Sequence, residues 1–552
     1  KQMAISAPLA FVVIGILMYW FFQSLSLVFW SLLLAVFTVV ITMGSLIGLG
    51  FPVHIMSSMI PIFLMPIAVV DSIHILSDFT DRLTPDASSK RVMAGVYEDI
   101  FFPILFTSIT SASGFISLFA TGIPPVEVFG VAVGFGILLA FLLTLVVLPA
   151  GASVWEPQAL EEGEGTLLAR ILNCPPDGFC LSRDYPRTVV LVLIVLLGVG
   201  IYGMTLIEVN DNPTRWFFED HPIRQADQYI NQTFAGSYPA YMVLSKDEKN
   251  AWTEPESLKK LENLTNKIES IDQVGKTTAL NDLVSKIHHE ILMDRATGSL
   301  PSSPRAVSQY LFLYENSGNP QDLFRLVTQN YDQVNIWFNL KSGDNKAMAQ
   351  VKERSEALLD DSGLELSKPP EWAGITYVNL VWQNVMVHGM AWALVGGYVV
   401  VFLMMLLLFR SFVWALLSLI PLTVTLVFAY GLVGWVGKPY DMPIAVLSSL
   451  SIGIAVDFAI HFIQRSRQLI DEHGSWPEAR EHVAGEPSRA IARNAVVIAV
   501  GFTPLLFAPL RPYLTVGVFM MMIMSFSGIA TLIGLNAVVE WLHQYLPLRR
   551  SD

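Results

Sequence analysis

Charge is what this sequence has least of. Only 15% of its 552 residues are Asp, Glu, Lys or Arg, against about a quarter in an ordinary soluble domain, which argues against one large water-soluble enzyme. Cysteine is scarcer still. Two in all, Cys174 and Cys180, cannot build a disulfide framework or complete a structural zinc site, and they read as incidental reduced thiols. Positive charge is outweighed, 34 Lys and Arg against 47 Asp and Glu for a net −13, which argues against nucleic acid as the main partner. A phosphate-binding loop is missing too: Gly437-Lys438 looks like the end of one, but Pro439 follows and Leu432 stands where glycine is needed. Nucleophile elbows and zinc-protease helices are likewise missing. The expectation is therefore no enzyme, no ATP hydrolysis, no metal and no cofactor, with protons left as the coupling ion.

What the sequence has is hydrophobicity: 53% of residues are apolar and mean hydropathy is +0.51. A helix needs about 20 apolar residues to cross a bilayer. Eleven such stretches fall near 4–22, 27–49, 56–79, 100–121, 127–151, 187–207, 387–409, 412–436, 442–464, 491–510 and 513–537. Lys and Arg gather in one set of short loops (Arg82, Lys90, Arg91, Arg170, Arg183, Arg187, Arg410, Arg465, Arg467, Arg480, Arg489, Arg493) and at Arg549 and Arg550. The opposite loops hold only Lys438 and Arg511. The first set is then cytoplasmic, and the long polar segment 208–386 lies on the periplasmic side. That segment carries 25 acidic and 17 basic residues, a solvated acidic surface.

The expected domains are a first transmembrane repeat of five helices (1–151), a cytoplasmic linker (152–186), a helix leading outward (187–207), a periplasmic α/β domain (208–386) and a second five-helix repeat (387–545). Within the outer domain, Tyr241–Leu244, Val334–Leu340 and Ile375–Val381 read as strands. Helical patterns run near 222–234, 255–271, 276–293 and 344–361. Trp216, Phe217, Phe218 and Trp337 offer aromatic surface, but no substrate pocket can be assigned from sequence.

The two five-span halves repeat each other at one spacing. Gly50-Phe-Pro52 resembles Gly437-Lys-Pro439, Ile67-Ala-Val69 matches Ile454-Ala-Val456, Ile73-His74 matches Ile460-His461, and Gly114-Phe115 matches Gly501-Phe502. Gly130 matches Gly517, and Phe22-Gln-Ser24 resembles Phe409-Arg-Ser411. Each pair is 387 residues apart, and both halves run in the same direction. Parallel repeats of this kind imply a pseudo-twofold axis along the membrane normal. The helix at 187–207 and the domain after it have no counterpart in the first half, so the symmetry leads one to expect a further helix and outer domain before Lys1.

These motifs resemble the RND superfamily, in its MmpL-like, hydrophobe-exporting branch. The resemblance is carried by Pro66-Ile-Ala-Val-Val-Asp71-Ser-Ile-His74 and Gly453-Ile-Ala-Val-Asp457-Phe-Ala-Ile-His461, the latter close to a Gly-x-x-x-Asp-Tyr pattern with Phe458 for Tyr. Thr110-Ser-Ala-Ser-Gly114-Phe115 and Gly122-Ile-Pro-Pro125 support it. The resemblance covers the whole chain. It implies an α-helical polytopic membrane protein with a parallel internal repeat and an α/β periplasmic porter-like domain. It also implies proton-driven export of a hopanoid, sterol or other lipid from a bacterial inner membrane, a periplasmic lipid-carrier protein as candidate partner, and homo-oligomers as one option.

Asp71 and Asp457 carry the chemistry. Each lies about 15 residues into its helix, hence about 22 Å along it at 1.5 Å per residue. A charge at such depth costs about 2.5–3.5 kcal/mol on insertion scales, so a function is the better reading than a helix-bridging polar group. At the repeat spacing, Asp457 aligns with Val70 and Asp71 with Phe458. In the family each Asp faces the other half's Tyr; carried over, Asp71 here faces Asp457. Two close carboxylates cannot both ionise cheaply and would share a proton.

His74 and His461 lie one turn further along the same faces and suit a proton path. The alternatives are helix packing or a metal, and the outer segment lacks the soft ligands a metal exporter needs. Thr107, Thr110 and Ser111 form a polar face, either helix–helix hydrogen bonds or a water-lined relay. Asp78 reads as interfacial, and Gly130–Gly134 as a close-packing face. The competing functions are a Patched-like sterol sensor, which has no need of two titratable groups in its core, and a SecDF-like translocation auxiliary.

Overall fold

The computed structural model describes residues 3–54, 56–83, 88–154, 177–292, 300–483 and 485–543. Helices come first: α1 (Met3–Phe22), α2 (Leu25–Gly48), α3 (Ile60–Arg82), α4 (Ser89–Ile116), α5 (Pro124–Val154), α6 (Asp177–Asp184) and α7 (Pro186–Thr205). A mixed segment follows: α8 (Pro222–Thr233), β1 (Tyr238–Ser245), α9 (Pro255–Glu269), β2 (Val274–Thr278), α10 (Leu280–Leu292), α11 (Pro304–Ser317), α12 (Pro320–Phe324), β3 (Gln333–Leu340), α13 (Asn345–Asp360) and β4 (Glu371–Ala373). Helices then resume: α14 (Ile375–Phe409), α15 (Phe412–Trp435), α16 (Met442–Ala455), α17 (Asp457–His473), α18 (Trp476–Val483), α19 (Glu486–Gly501), α20 (Arg511–Ile529), a π-helical stretch (Ala530–Leu535) and α21 (Asn536–His543). Cys174 and the side chain of Cys180 lie outside the described residues.

The chain divides into a helical unit, residues 1–208 and 385–552, and a second unit, residues 209–384. Ten helical spans among the described residues are long and apolar enough to cross a membrane, and a shorter apolar stretch, 7–22, lies in α1. The chain is a multi-pass membrane protein. Of the eleven expected stretches, the first is thus a helix with a shorter described apolar part. Others start earlier than hydropathy alone indicated, at Ser89 and Ile375, because polar turns extend them beyond the apolar core.

The repeat is written in the backbone. α2 and α15 begin and end 387 residues apart, at 25–48 and 412–435. The residue before each entry serine is left-handed in both halves, Gln23 and Arg410, each with φ 47°. Gly50 and Gly437 close the two hairpins with φ 83° and 69°, a conformation glycine adopts without steric cost. Contacts repeat as well: a Cβ on Gly130 would meet the Phe115 carbonyl and Leu118, and one on Gly517 the Phe502 carbonyl and Leu505. Across the halves α4 packs on α16 and, reciprocally, α19 packs on α3, the pattern a twofold relation produces. α7 and α15 approach backbone to backbone through Gly200, Gly203, Gly431 and Gly434, small residues that permit close helix contact.

The second unit is a four-stranded sheet of order β2-β3-β1-β4, with all pairs antiparallel. β3 buries every second residue, Val334, Ile336, Phe338 and Leu340, the period-two pattern of a sheet with one covered face. They meet Leu258, Leu261, Leu264 and Ile268, one face of α9, and the fully buried Trp252. Two expectations fail here. Ile375–Val381 is not a strand but the first turns of α14: the chain leaves β4 at Gly374, φ 95°, and Thr376 Oγ1 donates to the Pro239 carbonyl at 2.8 Å, starting the helix. β2 lies where two helical patterns abut, and its pairing with β3 overrides local propensity.

Candidate functional site: two carboxylates where the repeats meet

α3 and the α16–α17 span are enclosed by other helices almost throughout, so their polar side chains meet protein rather than lipid. Asp71 on α3 is 8% exposed and Asp457, the first residue of α17, 6%. One helix of the first repeat holds both. On α4, Ser108 Oγ donates to Asp71 Oδ2 at 3.0 Å. One turn on, Ser111 Oγ lies 3.3 and 3.4 Å from the two Asp457 carboxylate oxygens and 3.0 Å from the Gly453 carbonyl. Asp71, Asp457, Thr107, Ser108 and Ser111 line one cavity of about 10 Å³, roughly the room one water needs. Both aspartates thus border the same cavity.

The remaining polar residues of α4 divide. The Thr107 hydroxyl, although at the cavity, donates to the Ile104 carbonyl at 2.9 Å. Thr110 donates to the Phe106 and Thr107 carbonyls, both at 2.9 Å, and is not among the cavity's lining residues. Its hydroxyl is spent on its own helix. Ser108, which the expected polar face passed over, takes the place beside Asp71.

One turn beyond the carboxylates, His74 and His461 meet ring on ring. His74 Nε2 lies 2.6 Å from the side-chain amide of Asn494 on α19, the residue that occupies Thr107's place in the second repeat. The two rings form the inner end of a cleft of about 60 Å³, lined further by Asp78, Arg82, Asp99, Arg465 and Gln468. Arg82 bridges Asp78 at 2.8 Å and Asp99 at 2.6 Å, so Asp78 belongs to the charged mouth of this cleft. Nearby, Arg493 donates to Ser77 Oγ at 2.6 Å and stands 3.6 Å from Asp81. In order along the helices come a charged mouth, a histidine stack and a carboxylate cavity. Chemically, such a series can pass protons between ionisable groups and hold one between two carboxylates. No cluster of three or more His, Cys, Asp or Glu suited to a metal occurs among the described residues.

Comparison with known proteins gives the arrangement a family. Residues 220–541 match the MMPL family. The chain belongs to that family. Residues 3–154 match the Patched SSD, so both halves of this MMPL protein find relatives within the wider RND superfamily. A membrane protein of Methanocaldococcus jannaschii is 21% identical over 371 residues, 65% of this chain and 91% of that one. The toluene efflux pump membrane transporter TtgE of Pseudomonas putida is 26% identical over 182 residues, 32% of this chain and only 17% of the pump. Among solved structures, the hedgehog release protein Disp of the water bear Hypsibius dujardini superposes with a TM-score of 0.67 at 13% identity, over 98% of this chain and 70% of that one. At that identity the likeness is one of fold. These matches are to transporter-type membrane proteins rather than enzymes.

Proposed function

We propose that this MMPL protein is a proton-driven transporter that exports a lipid-like hydrophobic or amphiphilic molecule, of the hopanoid or sterol kind, from a bacterial inner membrane to the periplasm. The observation that carries the reading is the single cavity lined by Asp71 of one repeat and Asp457 of the other. A proton shared by two carboxylates on separately movable halves can be taken up and given off as the halves rock. His74 and His461 would feed it from the charged cleft, and Thr107 and Ser111 would complete the polar lining. Protons are the only coupling species invoked. A periplasmic lipid carrier would receive the cargo, and a homo-oligomer is compatible with the reading. The efflux function of the Pseudomonas relative supports transport of hydrophobic cargo.

The test is transport by protein reconstituted in liposomes under an imposed pH gradient. Asp457→Asn and Asp71→Asn should each lower gradient-driven export about a hundredfold, in the range expected when a single proton-transfer group is lost. Full proton-dependent export by Asp457→Asn would overturn the proposal. Lipid analysis of the purified protein and of deletion-strain membranes would identify the cargo. No enriched lipid, together with loss of a secreted protein, would favour a translocation auxiliary. The match of residues 3–154 to the Patched SSD favours one second reading, a lipid-sensing module. In that case sterol would bind with an affinity unaffected by either aspartate substitution.

A further inference from the structure

The membrane span that carries Asp457, Met442–His473, is interrupted at one residue. α16 ends at Ala455, Val456 stands between, and α17 begins at Asp457 itself. An α-helix leaves its last carbonyls without intrahelical donors, and at this end two of them receive hydroxyls from neighbouring helices. Ser111 Oγ of α4 donates to Gly453 at 3.0 Å, and Ser527 Oγ of α20 donates to Ala455 at 2.7 Å. The first clasp is reinforced by backbone proximity: a Cβ on Gly453 would lie 2.7 Å from Ser111 Cα, and one on Gly114 3.0 Å from the Gly453 nitrogen. The first repeat is built differently. α3 runs unbroken from Ile60 to Arg82 past Asp71, Pro66 occupies the position of Gly453, and Ser108 bonds the Asp71 carboxylate.

The two clasps differ in one respect. Ser527 meets only a carbonyl. Ser111 has one hydroxyl proton and two acceptors on the same joint, the Gly453 carbonyl and the Asp457 carboxylate. A hydrogen bond to an ionised carboxylate is about twice as strong as a neutral one, so a charged Asp457 draws that proton from Gly453. Once protonated, the carboxyl is itself a donor and can turn its O–H to the Ser111 oxygen, leaving the serine proton wholly to the carbonyl. We infer that Ser111 is a positioning residue which ties the charge on Asp457 to the joint between α16 and α17. α4 grips α16 firmly when Asp457 is neutral and loosely when it is charged, while Ser527 holds the joint as a fixed pivot.

This inference rests on the proposal that Asp457 exchanges protons, and it adds that the second repeat's interrupted span is the part that responds. The groups around Asp457 limit what else could produce a pH response. Asp71 lines the same cavity and bears on it electrostatically. His461 is one turn along α17, with His74 of α3 stacked on it and Asn494 of α19 bonded to His74. α4 brings Tyr97 near Asp71.

The experiment is hydrogen–deuterium exchange of the full chain in lipid nanodiscs, read on peptides spanning 452–463 across pH and corrected for intrinsic exchange. Protection at the joint should fall about fivefold from acid to alkaline conditions, the change one neutral hydrogen bond carries. Ser111→Ala should abolish the pH dependence, and Ser111→Thr should restore it. Ser527→Ala should lower protection equally at every pH, and Asp457→Asn should hold the acid-like level throughout. If Ser111→Ala keeps the wild-type pH dependence while Asp457→Asn loses it, the role of Ser111 is overturned and proton exchange at Asp457 stands. If the joint shows no pH dependence in any form and Asp457→Asn still exports at full rate, proton coupling itself fails.

Discussion

The imidazole rings of His74 and His461 stack with centroids 3.8 Å apart and planes 15° from parallel, and the two residues are equivalents in the internal repeat. Equivalent residues touch each other only on the axis that relates the halves, so this stack marks the pseudo-twofold axis between the carboxylate cavity and the charged cleft. Two imidazolium rings at that spacing repel strongly, so the stack carries at most one extra proton. His461→Phe keeps a ring in the stack and removes one of the two proton acceptors. Gradient-driven export should fall about tenfold, as for a barrier raised by about 1.4 kcal/mol. Cargo binding by the detergent-solubilised protein should be unchanged. Equal loss of binding and export would show that the stack serves packing alone.

The contact between α4 and α16 makes a sharp prediction about glycine. Gly453→Ala drives a methyl group into the Ser111 backbone and should destabilise the protein by about 1–3 kcal/mol, the usual cost of overpacking. At Gly44, in the interior of α2, an added Cβ would meet nothing within 4 Å. Gly44→Ala should therefore raise stability by about 0.5–1 kcal/mol through helix propensity alone. Thermal unfolding in one detergent compares the two directly, and a destabilised Gly44→Ala would contradict the packing described.

In the second unit, Tyr238 donates to Asp227 and shares a contact of 2.9 Å with the Thr214 hydroxyl. Burial first, then the bond to Asp227, push its phenol up to about 12. The folded state thus holds this proton more tightly than the unfolded chain, whose tyrosines titrate near 10. The associated stability is fully present below about pH 10 and is lost as pH rises toward about 12. Tyr238→Phe should cost about 1 kcal/mol at neutral pH and make unfolding of residues 209–384 less steeply dependent on alkaline pH. Limited proteolysis of the full chain across about pH 8–11.5, bracketing the tyrosine range, reads both effects. An identical alkaline slope in the two proteins would remove Tyr238 from the account.

The helical unit was legible in sequence wherever one physical signal dominated. Apolar length gave the spans, and the constant 387-residue spacing gave the repeat; the pairing of Asp71 with Asp457 was implied only by the family resemblance. Ser108 was not legible. It is next to Thr107, and only the rotation of α4 against α3 decides which of the two faces Asp71. The alternative spacing, Ser108 with Ser111 at i and i+3, was present but indistinguishable from the face through Thr107, Thr110 and Ser111. Ile375–Val381 misled because its β-branched alternation matches a strand, while the turn at Gly374 and the Thr376 hydrogen bond are tertiary facts. The interruption before Asp457 left no trace either: Val456 is no helix breaker, and the serines that bond the carbonyls there lie on two other helices.

Gln23 and Arg410 differ in charge and shape, yet both hold the backbone at φ 47°, where residues other than glycine are uncommon. Whatever divergence did to the two halves, it exchanged the residue and kept the dihedral. The helices that follow, 25–48 and 412–435, thus set out from the same left-handed residue, although Ser24 caps its helix with its side chain and Ser411 does not. The ancestry of the duplicated chain is preserved more faithfully in its torsion angles than in its letters.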